Sequence, residues 1–445
     1  MAMQWIHCGY AVIGHSPFVL IPDCVLVVDQ GVIIEITERN AVNHRPDQVW
    51  LDWSHCLVLP GFVNVHTHTT LVMVRGEAED MGFAPAYTPG VPHGHEVTTD
   101  EAIALSRLGA YECLRFGSTT INDSYVYAEH VMPAMAELGL RIVGSARIHD
   151  VDFSRVHLGE WRYDTAIGQQ RLVEAERLIE LIGADDSGRL GVTLNPHAPD
   201  TCSMALLHEV AALQEQTGLT VCTHLSQSEA ENRTVIARDG MTPAELLDRT
   251  GLLSDRLIAA HGMYLSDSDI ALAGRAKIHL AHVPKGNATG GRIAPTRAME
   301  AAGVQLALAT DNMHGDMIEA MRWALNMGRI QMGCIDSNWN AWRVLEMATI
   351  AGARALQMAD RVGSLEIGKQ ADMVAIDLRT PNLQPAIQPV GALVHCGLGR
   401  DVSHVMVQGV EVIRDGALCF GKAVEILQNG HAAAEGLWSR ARALS

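Results

Sequence analysis

Eight short apolar runs, each separated from the next by a longer stretch of helical texture, constrain this 445-residue chain more than any other feature. They are Leu57–His68, Ser118–Asp123, Arg141–Arg147, Leu190–Asn195, Thr220–Leu225, Leu257–His261, Ala276–His282 and Val304–Asp311. Segments such as Glu101–Arg115, Gln169–Ile182 and Met204–Thr217 have helical patterning and lie between them. Alternation of this kind marks successive β–α units. Eight units predict a closed (β/α)8 TIM-type barrel over an open doubly wound sheet.

Both ends of the chain are β-rich. Cys24–Asp29 and Gly31–Ile36 flank a turn at Asp29-Gln30-Gly31, and Ala371–Asp377, Val402–Gly409 and Glu411–Gly416 repeat the texture near the carboxyl terminus. Neither end has strands enough for a stable sheet, so the two are expected to meet in one small composite β-sandwich domain. The predicted organisation is 1–56 for its first part, 57–360 for the barrel, and 361–445 for its remainder and a carboxyl-terminal helix.

Thirty-three Lys and Arg against 51 Asp and Glu give a net charge of −18. That balance, with no run of basic residues, argues against nucleic acid and anionic membranes. Nine scattered cysteines without a C-x-x-C pair fit reduced thiols in a cytoplasm. MAMQWIHCGYAVIG has neither the basic nor the apolar region of a secretory signal. No stretch approaches the roughly 20 apolar residues that span a bilayer. G-x-G-x-x-G and G-x-x-x-x-G-K-[ST] are both missing, which removes the usual dinucleotide and nucleoside-triphosphate sites.

Histidine placement carries the chemistry. In an α/β barrel the active site lies at the carboxyl ends of the strands. Here the first strand ends in His66-Thr67-His68, the fifth reaches His224, the sixth ends in His261, the seventh in His282 and the eighth in Asp311. Residues i and i+2 of a strand share a face, so His66 and His68 can reach one ion. Imidazoles with one carboxylate suit zinc, iron, cobalt or manganese. One such histidine is ordinarily a core or surface residue; five groups at five inferred strand ends are not explained that way. His93-Gly94-His95, among Pro89, Gly90 and Pro92, is assigned instead to the surface or a substrate lid. His314, just past the eighth strand, is a candidate substrate contact.

Leu59-Pro60-Gly61-Phe62-Val63-Asn64-Val65-His66-Thr67-His68 resembles the first-strand motif of the amidohydrolase superfamily. Asn195–Ser203, Ala260-His261-Gly262, Ala309-Thr310-Asp311 and Gly363–Asp372 extend the likeness over nearly the whole chain. It is greatest to the branch of triazine chlorohydrolases, adenosine-type and guanine-type deaminases and cytosine deaminase. The resemblance implies a barrel with a composite β-sandwich, and one divalent metal, zinc before iron, cobalt or manganese, on His66, His68, His224 and Asp311. It further implies that His261 and Asp311 handle protons of an activated water and that His197 and His282 line the substrate pocket. Two-metal relatives use a lysine at the end of the fourth strand; Val192-Thr193-Leu194-Asn195-Pro196 has none, so one ion is expected. A small-molecule substrate and a homo-oligomer are the implied partners.

Deaminases of this branch carry H-x-x-E after the fifth strand, whereas this chain reads His224-Leu225-Ser226-Gln227, then Ser228-Glu229-Ala230-Glu231. A neutral amide binds substrate but does not shuttle protons near pH 7. Glu229 could substitute only if the loop bulged by two residues. A second departure is Ala281-His282-Val283-Pro284-Lys285-Gly286-Asn287, where relatives have His-Cys-Pro-x-Ser-Asn; Lys285 is read as a solvated surface residue. The expected activity is metal-dependent hydrolysis of a non-peptide C–N bond in a small heterocyclic or aromatic urea, carbamate, amide or cyclic amide, with Gln227 at the site. The alternative is an aminohydrolase or chlorohydrolase of a purine, pyrimidine, pterin or s-triazine, with Glu229 or Asp311 and His261 moving the proton. A barrel that only binds its ligand is disfavoured by the intact His66, His68, His224, His261 and Asp311 set. Substrate choice falls to loop residues such as Phe83, Tyr87, His93, Trp161 and Met313.

Overall fold

The computed structural model describes residues 3–42, 48–81, 84–92, 96–312 and 314–444. Phe83, His93, His95 and Met313 therefore lie outside the described residues. Strands from the two ends of the chain form one hydrogen-bonded sheet of eight strands. Its centre is the strand Val49–Pro60, which pairs in parallel with Gln4–Ile13 and antiparallel with Met373–Asp377. The turn expected at Gln30-Gly31 is present: both residues have positive φ (47° and 83°), and Asp29 pairs with Val32. Ile6, Leu26, Trp53, Met373 and Met406 bury one side of this sheet in a cluster of its own, while Leu57, Leu59, Val374 and Val405 join the main core.

The remaining strands build the barrel. Phe62–Thr67, Ser118–Tyr125, Arg141–Ile148 and Leu190–Val192 pair in parallel, as do Val221–Leu225, Leu257–His261, His279–His282 and Gln305–Leu308. Two parallel bridges, Leu194 to Val221 and Thr67 to Asp311, join the two sets and close the ring. The fourth strand is broken: Leu190–Val192 stops and Asn195–Pro196 pairs separately with the third strand. Pro196 has no N–H to extend a ladder, and the break turns the chain toward His197. Helices Thr99–Arg115, Thr165–Gly183 and Met204–Thr217 cover the barrel where helical patterning predicts them, each begun by a side-chain cap from Thr98, Asp164 and Ser203. Among the described residues, no helix is long and apolar enough to cross a membrane.

Beneath the barrel mouth, buried amides tie strands together. Asn64 donates to Thr310 Oγ1 at 2.7 Å, Asn122 to the Val65 carbonyl at 2.8 Å, and Asn195 to the Cys222 carbonyl at 2.8 Å. The terminal sheet is fastened to the barrel by Arg141, whose side chain and that of Asp372 are each 1% exposed. The guanidinium lies 3.2–3.3 Å from the Asp372 carboxylate and donates to the Gly188 carbonyl at 2.6 Å. Breaking a buried pair by removing one partner costs about 3–5 kcal/mol. Asp372→Ala is accordingly expected to lower stability by about that amount in chemical denaturation; a loss below about 1 kcal/mol would show that the pair is not what fastens the two parts.

Candidate active site

Four side chains from three strands converge at the barrel mouth. One donor atom from each of His66, His68, His224 and Asp311 lies within 4.8 Å of all the others, and all four residues are buried. His66 Nε2 stands 3.4 Å and His68 Nε2 3.5 Å from Asp311 Oδ1, and His68 Nε2 is 3.3 Å from His224 Nε2. The outward nitrogens are tied to oxygen. His68 Nδ1–H donates to the Ser124 carbonyl at 2.5 Å and His224 Nδ1–H to the His197 carbonyl at 2.6 Å. A carbonyl only accepts, so these bonds fix the proton on Nδ1 and leave the Nε2 lone pairs turned to the centre. Nε2 of His66 has no hydrogen-bond partner although it is buried. Such an orphaned acceptor costs free energy unless something binds it, and a divalent cation fits that donor set.

The electrostatics agree with that fit. Burial, with His66 alongside, lowers His68 to about 3, and burial holds His224 well below its ordinary value. Burial alone would raise Asp311, but the close approach of His66 and the neighbouring His261 and His68 keep it well below the usual carboxylate range. Neutral imidazoles and an ionised carboxylate are the forms that bind metal. His261 Nε2 sits 3.9 Å from Asp311 Oδ2, its Nδ1 bound to Asn287 Oδ1 at 2.9 Å. His261 and Asp311 both adopt left-handed backbone, φ 73° and 64°. Non-glycine residues there are strained, and here the strain accompanies the sharp turns that end the sixth and eighth strands.

A cavity of about 400 Å3, including its open mouth, lies over the cluster. His68, His197, His224, His261, Gln227 and Asp311 line its floor side, with Tyr87, Tyr125, Arg147 and Asn312 around them. Asp311 is the cavity's only carboxylate among the described residues. Gln227 contributes an amide whose Nε2 is buried without a partner. Glu229 points elsewhere: its carboxylate is 58% exposed and pairs with Arg292 at 3.1 Å and Arg233 at 3.4 Å. Glu231 is the carboxylate that the loop brings inward. It is fully buried and accepts the backbone N–H groups of Ser226 at 2.7 Å and Gln227 at 2.8 Å.

A profile of the amidohydrolase family matches residues 57–412. The chain belongs to the amidohydrolase family. The 5'-deoxyadenosine deaminase of Methanothermobacter thermautotrophicus is 33% identical over 401 residues, 88% of this chain and 90% of that one. The 5-methylthioadenosine/S-adenosylhomocysteine deaminase of Desulforudis audaxviator is 34% identical over 399 residues, 87% and 89% of the two chains. A zinc-bound adenosine deaminase from Xanthomonas campestris superimposes with a TM-score of 0.86 at 25% identity, covering 98% of this chain and 99% of its own. A triazine hydrolase from Arthrobacter aurescens shares the fold, with a TM-score of 0.87 at 20% identity over 98% and 100% of the two chains. This amidohydrolase is thus a metal-dependent hydrolase.

The other sequence-derived candidates divide. His197 lines the cavity, held by Thr201 Oγ1 at 2.8 Å. His282 and His314 are not among its lining residues: His282 is 1% exposed at the end of the seventh strand, and His314 neighbours Lys285, Glu319 and Asp311. The ring nitrogens of both lack hydrogen-bond partners. Lys285 is not a freely solvated residue, since it pairs with Glu319 at 2.8 Å and is about two-thirds buried, its side chain 32% exposed. Tyr87 reaches the cavity, and its hydroxyl and the Trp161 indole N–H both donate to Asp200 Oδ2 at 3.2 Å.

Glu231, Asp200, Arg147 and Tyr125 have no assigned role in the sequence reading. For Glu231 a signal exists: Ser228-Glu229-Ala230-Glu231 is a capping-box pattern. Ser228 caps the helix Glu229–Asp239 through Glu231 N, and the Glu231 side chain folds back toward the preceding loop. Burial, reinforced by Asp200, pushes Glu231 up to about 8. The folded protein then retains a proton that the unfolded chain releases near pH 4.5, so this group costs stability as pH rises from about 4.5 to 8. Glu231→Gln is expected to flatten that slope in denaturation measured across the range; an unchanged slope would contradict the assignment.

Proposed function

We propose that this amidohydrolase removes an amino group from an electron-poor N-heterocycle, with zinc as the single ion of its active site, and that Gln227 binds a ring nitrogen. The observation that carries the reading is the unpartnered Gln227 Nε2–H in a cavity whose only carboxylate among the described residues is Asp311. Relatives named for deamination of 5'-deoxyadenosine and of 5-methylthioadenosine, similar over most of the chain, support an aminated purine nucleoside as the substrate class. Tyr87 and Tyr125 line the cavity, and aromatic side chains of this kind suit a planar ring.

A divalent ion on His66, His68, His224 and Asp311 supplies a Lewis acid and lowers the pKa of water toward 7. The residues supply the rest. His261, neutral because burial lowers its pKa, has its Nδ1 proton committed to Asn287 and turns its Nε2 toward Asp311 at 3.9 Å, where it accepts one. Asp311 is ionised beside it. Together they take a proton from the attacking water and return it to the departing nitrogen, so that a ring amine and water give a ring carbonyl and ammonia. Gln227 stabilises negative charge on the ring nitrogen by donating a hydrogen bond; it cannot protonate that nitrogen. The inability favours rings already polarised at carbon.

That same amide supports a second reading, cleavage of a urea, carbamate or cyclic amide, whose carbon needs no ring protonation. Mass spectrometry in heavy-oxygen water separates the two. With metal-loaded protein and a panel of aminated heterocycles, ureas, carbamates and ring amides, the expected result is stoichiometric ammonia and one labelled oxygen on a ring carbon. Release of a larger amine with a labelled acid would overturn deamination in favour of the second reading. Removing a hydrogen bond to developing charge costs about 1.5–3 kcal/mol, so Gln227→Ala is expected to lower kcat/KM by roughly 10- to 100-fold at unchanged metal content. Wild-type kcat/KM in that variant would remove Gln227 from the reaction.

A further inference from the structure

Away from the barrel mouth, the terminal sheet gathers a second group of metal-ligating side chains. His55, Cys56 and His404 each place one donor atom within 4.8 Å of the others. Neighbours on a regular strand point to opposite faces, so His55 and Cys56 converge only because their strand is interrupted. Cys8 pairs with Trp53 and Tyr10 with Leu57, leaving Ser54, His55 and Cys56 opposite the single residue Gly9. The strand carrying His404 is irregular at the same level: Ala375 pairs with His404 but Ile376 with Val402, so Ser403 bulges. Paired bulges re-aim side chains, and bulges are concentrated beside functional sites.

His404 is oriented as a ligand would be. Its Nδ1–H donates to Glu411 Oε1 at 2.9 Å, both side chains being 7% exposed, and its ring stacks on Trp53 with centroids 5.1 Å apart. The carboxylate fixes the tautomer and leaves the Nε2 lone pair, 3.8 Å from Asp415 Oδ1. A carboxylate holding the outer nitrogen is the arrangement that supports metal-bound histidines. Asp415 lies in a turn at φ 48° with its side chain 84% exposed, free to supply a fourth donor. A cavity of about 520 Å3, open to solvent, reaches His55, Ser403 and Asp415, and Arg115, Arg379 and Arg400 also line it.

We propose that His55, Cys56, His404 and Asp415 form a second divalent-metal site, separate from the barrel cluster, that clips the amino-terminal strand Val49–Pro60 to the carboxyl-terminal strands. Two nitrogens, a sulfur and a carboxylate oxygen suit tetrahedral zinc, with Co2+ as its spectroscopic substitute. Coordination forms a metal–sulfur bond and releases the thiol proton to water.

The barrel cluster offers only nitrogen and oxygen donors, so a thiolate-to-cobalt charge-transfer band reports this site alone. Metal-stripped full-length protein titrated with Co2+ is expected to bind two equivalents per chain, with the band rising alongside one of them. Cys56→Ser is expected to abolish the band and reduce binding to one equivalent while hydrolase activity is retained. Asp415→Ala changes only an exposed turn and is expected to weaken the band-forming site by roughly 10- to 100-fold. A single equivalent without a band would overturn the proposal. So would a band that survives Cys56→Ser, or Co2+ affinity unchanged in Asp415→Ala.

Discussion

Closure of the barrel between its first and eighth strands is the constraint on which the active site depends. His68 N–H donates to the Asp311 carbonyl at 3.1 Å, Asp311 N–H to the His66 carbonyl at 3.0 Å, and Thr67 Oγ1 to the Asp311 carbonyl at 2.8 Å. The residues that complete the ring are thus those that carry three of the four donor groups, or their immediate neighbours. One turn deeper, Asn64 and Thr310 exchange two further bonds across the same seam. A barrel left open along that seam would separate His66 and His68 from Asp311, so folding and site assembly are one event.

The layer behind the donors determines what they can do. Carbonyls of Ser124 and His197 hold two imidazoles in the tautomer that faces the centre, and Asn287 does the same for His261. Burial keeps His68, His224 and His261 neutral at physiological pH, and the proximity of His66, His261 and His68 keeps Asp311 charged. Glu231 works one step further out, holding the backbone of Ser226 and Gln227 so that the amide, not a carboxylate, reaches the cavity. Such support is what keeps a site within the fraction of an ångström that chemistry requires.

Much of this was legible in the sequence because periodicity reports burial. The eight strand positions and the residues at their ends follow from apolar runs interrupted by polar groups, and His66, His68, His224 and Asp311 meet as their strand positions imply. The composite sheet was legible because neither end of the chain has strands enough alone. What escaped depends on loops and on long-range packing. The fourth strand breaks at Thr193–Leu194, where Thr193 N–H still bonds to the third strand at Gly144 but Leu194 N–H turns to Thr220, and no local pattern marks the break. Glu229 and Glu231 are both two residues or more beyond Gln227, and only the helix that begins at Glu229 decides which turns inward. His282 ends the seventh strand as expected and His314 follows the eighth, but among the described residues the cavity is lined by His197 and Tyr87 and not by these two.

The central claim is that three imidazoles and Asp311 hold the ion while an amide, and no second carboxylate, meets the substrate. Anomalous diffraction from crystals grown with zinc and a bound aminated heterocycle or its product tests it most directly. The account expects one anomalous peak at the barrel mouth, about 2.0–2.2 Å from Nε2 of His66, His68 and His224 and an oxygen of Asp311, with Gln227 Nε2 at hydrogen-bond distance from a ring nitrogen. A barrel-mouth peak held by other residues, or Glu231 swung into contact with the ring, would contradict it.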